Sequence, residues 1–122
     1  MVRSRAEQFD DLVLDAVEQV EQAVRDDPAL AARIAAVALA VEDVPPPEAT
    51  ELAEDVPLAR SDPQGRDRPA RLVLYRRPIE LRTPDPLDRG LLVHEVVVDE
   101  LADLLGVPVD RLDPEGVDDE DD

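Results

Sequence analysis

Residues 87–105, LDRGLLVHEVVVDELADLL, constrain the fold more than any other stretch of the chain. On a helical wheel at about 100° per residue, Leu91, Val93, Val97, Val98, Leu101, Ala102, Leu104 and Leu105 cover most of the circumference. Glu95, Asp99 and Asp103 follow one another at i, i+4 and i+8, forming a single carboxylate stripe with Glu100 on its far flank. A helix apolar over so wide an arc is expected to be largely buried, with one slot left for the acids. Gly106 stands where a C-terminal cap belongs and Pro108 lies just beyond it. The rest of the chain has to be arranged around this helix.

A second helix opens the chain. Ser4 and Glu7 have the spacing of a capping box, and Phe9, Leu12, Val13, Ala16, Val17, Val20 and Val24 recur as one apolar stripe. Asp26, Asp27 and Pro28 stop it and begin a short helix, Ala29 to Ala35. Between the two long helices the chain reads as short strands cut by prolines. Val37–Val41 is apolar and bounded by charge, and Pro45, Pro46 and Pro47 end it. Val56–Arg60 is a second short candidate, and Arg71–Arg76 is the best strand, closed by Pro78. Residues 61–69 are a polar loop, and residues 113–122, DPEGVDDEDD, carry seven acids and no base, as a disordered tail does. The expected class is α+β, with two main helices packed on a small, mostly antiparallel sheet. One domain is expected over residues 1–112, followed by the acidic tail 113–122.

Composition removes several functions. The 122 residues contain no cysteine, so disulfides, thiolate metal sites and cysteine nucleophiles are excluded. One Phe, one Tyr and no Trp make the core aliphatic and leave no base-stacking platform. Thirteen basic residues, all Arg, face 31 acids, for a net charge of -18. Nucleic acid phosphates and anionic membranes repel such a chain, so neither is an expected partner. No apolar run approaches ~18 residues and the first residues lack an apolar signal core, so the expected location is the cytoplasm. Six of the thirteen arginines are concentrated mid-chain, at Arg66, Arg68, Arg71, Arg76, Arg77 and Arg82. Read functionally this is a basic rim for an acidic partner; read structurally, strand-edge arginines blunt aggregation and pair with nearby acids.

His94-Glu95 begins like the zinc motif His-Glu-x-x-His, but Val98 stands in the fifth position. His94, the one histidine, also falls in the apolar arc, where a packed core or boundary residue is the plainer reading. The ordered blocks FDDLVLDAVEQV, VALAVEDVPPP, ARLVLYRRPIE and VVVDELADLLG resemble the small bacterial metallopeptidase-like proteins of the minimal zincin fold. The resemblance covers most of residues 9–112. It implies His-Glu-x-x-His-x-x-Gly-x-x-Asp on the closing helix, supplying zinc ligands and a general base. With Gly106 setting the register, the first His falls at Asp99, the catalytic Glu at Glu100, the second His at Asp103 and the third ligand near Val109, beside Asp110.

The resemblance thus implies a metallopeptidase-family protein whose zinc ligands are replaced, with Glu100 a vestigial base and Asp99, Asp103 and Asp110 at degenerate ligand positions. The expectation is a pseudo-enzyme with no resident cofactor. Two carboxylates favour hard divalent cations over zinc, and these want about six oxygens or more. A weak divalent-cation site, and a hydrolase using it, therefore stand as an alternative. So does an acidic module binding a protein or peptide, for instance by strand addition beside Leu72–Tyr75. Asp99 and Asp103 also suit a plain solvated acidic face. Paired carboxylates acting on sugars would lack an aromatic platform.

Overall fold

The computed structural model describes residues 3–48 and 56–114. Helix α1 runs Arg5–Ala23, α2 Pro28–Ala35, strand β1 Ala38–Glu42, β2 Ala59–Asp62 and β3 Arg71–Tyr75. Three helices follow: α3 (Arg76–Arg82), α4 (Pro86–Leu105) and α5 (Val109–Leu112). The class is α+β, as expected, and no helix among the described residues is long and apolar enough to cross a membrane.

Helix α4 is the hub. It touches α1, α2, α3, α5 and β2, and Val93, Val96, Val97, Val98, Leu101, Ala102 and Leu105 are buried on it. Phe9, Val13, Ala16 and Val20 of α1 supply the facing stripe. The apolar arc is narrower at its start than the wheel suggests: Leu87 and Leu91 stay exposed. There Gly90 is the residue beside α1, since a methyl group on it would meet Leu12 Cδ2 at 3.6 Å.

Local chemistry fixes the helix ends. Ser4 Oγ accepts from the Glu7 N–H at 3.1 Å while Glu7 Oε1 accepts from the Ser4 N–H at 3.0 Å, the reciprocal capping box. The Ser4 N–H first, and the Ser4 hydroxyl after it, hold the Glu7 carboxyl below the usual range. Asp27 caps α2 and Asp85 caps α4 through their carboxylates. At the other end of α4, Gly106 takes the left-handed conformation, φ 68° and ψ 34°, which L side chains avoid. Arg33 Nη2 donates to the Leu105 carbonyl at 2.8 Å, placing a cation on the negative end of the helix dipole.

The sheet order is β1-β3-β2, and it is mixed: β1 runs parallel to β3, β2 antiparallel. Parallel pairing follows from the route of the chain, which crosses to the far edge to lay down β2 before returning to the centre. Leu72 to Tyr75 are buried on both faces, the signature of a central strand. Leu72 and Leu74 join the helical core, and on the opposite face Tyr75 Oη accepts from Arg60 Nη1 at 3.2 Å. The central place of β3 corrects one expectation. Both its edges are paired, so no peptide can add beside Leu72–Tyr75.

The expected tail starts at two described residues, Asp113 and Pro114; residues 115–122 lie outside the described residues. Asp113 is packed: its Oδ2 lies 3.4 Å from His94 Nε2.

Candidate functional site

The carboxylate stripe of α4 ends at Gly106, and the left-handed turn there decides what the stripe faces. It reverses the chain, with the Val107 N–H returning to the Ala102 carbonyl at 3.0 Å. Val107, Pro108 and Val109 are thereby brought alongside the last turns of α4. The result is an open groove of about 440 Å³ lined by Asp99, Ala102, Asp103, Gly106, Val107, Pro108 and Val109. Asp99 and Asp103 are exposed and one helical turn apart, as i, i+4 spacing requires.

Glu100 and Asp110 are not among the residues lining the groove. Glu100 sits on the flank of α4 and is half-buried, and this burial pushes its carboxyl above the usual range. The neighbouring charges of Asp103 and Asp99 push it further in the same direction. A carboxyl so placed holds its proton to higher pH than a surface glutamate, the direction in which general bases are tuned. Asp110 is exposed on α5, one residue past Val109. Among the described residues, no three His, Cys, Asp or Glu side chains gather in a way that could hold a metal ion.

His94 faces elsewhere. It lies against α1, lining one cleft with Gln19, Gln22, Leu112 and Asp113 and a smaller one with Leu12, Asp15, Ala16 and Leu91. Its Nε2 faces Asp113, while its buried Nδ1 has no hydrogen-bond partner among the described residues. None of its surroundings is shared with Asp99, Asp103 or Val109.

A family model described as zincin-like metallopeptidase matches residues 34–118, more than two-thirds of the chain. The chain belongs to the zincin-like metallopeptidase family. No curated protein matches it.

For a member of this family the question becomes whether zinc suits the groove. It does not. Zinc in catalytic sites takes three protein ligands, drawn from His, Cys, Asp and Glu, plus a water. Here the groove offers two short carboxylates and the isopropyl group of Val109. Imidazole reaches further from a helix than the Asp side chain does, so a metal held by Asp99 and Asp103 would sit closer to the backbone. Among the described residues the groove supplies no third donor, so this set falls short of the three protein ligands that catalytic zinc takes.

The groove's membership was half legible in the sequence. The i, i+4 spacing pairs Asp99 with Asp103, whereas the return of Val109 depends on the turn at Gly106.

Proposed function

We propose that this chain is a zincin-like family member without zinc peptidase activity, whose fold serves as a binding scaffold for a protein or peptide. One observation carries the reading: Asp99, Asp103 and Val109 line one groove, and none of them is an imidazole. A zinc peptidase works by lowering the pKa of a bound water so that a glutamate can take its proton. The Glu100 carboxyl is held above the usual range, yet two aspartates and a valine are a poor ligand set for zinc, and without zinc no water is activated for it to deprotonate. It is then a half-buried acid, vestigial in role.

The presence of two carboxylates in one groove supports a second reading, a weak site for Mg²⁺, Mn²⁺ or Ca²⁺ completed by water. Metal analysis separates the two. Protein purified without chelator is expected to contain far less than one zinc per chain and to leave generic peptides uncleaved. The triple variant Asp99→His, Asp103→His, Val109→Asp is expected to gain zinc affinity, followed by calorimetric titration. Tight metal binding by the unmodified chain, abolished by Asp99→Ala, would promote the divalent-cation hydrolase. Failure of the triple variant to bind zinc while remaining folded would refute the register on which both readings rest.

A further inference from the structure

Far from the carboxylate groove, the structure gathers positive charge on a chain that is overwhelmingly negative. The first turn of α1, helix α3 and the first turn of α4 enclose an open groove of about 840 Å³. Arg5, Arg76, Arg77 and Arg89 line it, with Glu80 as its one acid. Glu80 is already engaged, 3.0 Å from Arg76, which also holds Asp43 at 3.0 Å. No ion pair among the described residues involves Arg5, Arg77 or Arg89. Arg5 and Arg77 are exposed. Arg89 spends one end of its guanidinium on the Thr83 and Pro84 carbonyls, while its buried Nε has no partner among the described residues. In a chain where acids outnumber bases 31 to 13, three guanidiniums in one groove without an ion pair among the described residues form a site for an anion from outside.

We propose that this groove binds an acidic peptide segment of a partner protein. Guanidinium forks match carboxylates in pairs, so several arginines along an open groove suit a row of acidic side chains. One wall is apolar. Leu81 is 83% exposed beside Pro84 and Pro86, and it offers contact to a hydrophobic residue adjoining the acids. A nucleic acid carries a continuous, densely spaced row of charges and meets more repulsion from the surrounding acids than a short acidic segment confined to the groove does. The site lies some 13 residues along α4 from Asp99, about 20 Å, so the two grooves are separate. The inference rests on the scaffold reading and gives it a partner chemistry. Metal content and peptide binding are measured independently, so either can fail alone.

The test is fluorescence anisotropy on the full chain, with a fluorescein-labelled peptide of one leucine followed by five glutamates as probe. Saturable binding is expected at low ionic strength, weakening as salt is added. The double variant Arg5→Ala, Arg77→Ala is expected to weaken binding about tenfold, and Leu81→Asp to weaken it while leaving every arginine in place. Arg66→Ala, outside the groove, is expected to bind as the unmodified chain does. Absence of binding, or equal binding by the double variant and Leu81→Asp, overturns the proposal. Tighter binding of a single-stranded DNA of similar length, or displacement of the peptide by a lower concentration of inorganic pyrophosphate, overturns it in favour of a phosphate ligand.

Discussion

Glu100 is the residue whose replacement is most informative, because its carboxylate is held against its own interest. Burial raises its pKa first, and Asp103 and Asp99 raise it further. The folded chain therefore binds this proton more tightly than the unfolded chain does. Where both states are protonated, below the ordinary glutamate range near pH 4, the group has no effect on stability. As pH rises through the unfolded value and then the raised folded value, the penalty appears in full and stays. Glu100→Gln keeps the shape and removes the charge. Asp103 lies one turn away, and a like-charge pair at that spacing costs about 0.2–0.5 kcal/mol. Adding the partial desolvation of a half-buried carboxylate, the variant is expected to be more stable than the parent by about 0.5–1 kcal/mol near neutral pH. Urea denaturation near pH 7 and again near pH 4 measures it, with a gain at the first that shrinks at the second. A Glu100→Gln chain less stable near pH 7 would show that the carboxylate makes a favourable ionic contact, and the reasoning would fall.

Three further substitutions probe the framework of the site. Leu101→Ala removes a fully buried side chain from the hub helix, and denaturant midpoints are expected to report a loss of about 3 kcal/mol. Gly106→Ala meets no neighbour within 4 Å, so its expected cost of about 1 kcal/mol is conformational. Introduced into the triple His, His, Asp variant, it should also weaken zinc binding by displacing residue 109, read by the same titration. Arg33→Ala frees the Leu105 carbonyl of its cation, and thermal melts should show a loss of about 1 kcal/mol that is smaller at high salt.

What the sequence shows of this fold follows from how local each signal is. Helices α1 and α4 announce themselves because apolar period and caps coincide, with Ser4 and Glu7 at one start and Gly106 at one end. Helix α3 is hidden by Pro78, which reads as the end of a strand. In the structure Pro78 is the third residue of that helix, in the first turn, where a missing N–H is no loss. Strand β2 lies at Ala59–Asp62 rather than Val56–Arg60 because its residues are half-buried and mostly polar, with no alternation to mark them. The parallel pairing of β1 with β3 has no local signature at all. At the groove, Asp99 and Asp103 are visible as a helical pair. Arg5, remote in sequence from the mid-chain arginines, joins Arg76, Arg77 and Arg89 only through folding.

The hub position of α4 has a consequence for the chain as it is made. Helix α1 packs chiefly on α4, which is completed some eighty residues later, at Leu105. At ordinary synthesis rates the apolar stripe of α1 waits on the order of ten seconds for its partner. During that interval Phe9, Val13 and Val20 have no core to enter. The acids on the other faces of α1, Asp10, Asp15, Glu18 and Glu21 among them, give the emerging helix a negative charge throughout that interval. Nascent chains of like charge repel, and an unfinished α1 is kept from finding the α1 of a neighbouring ribosome before its own α4 emerges.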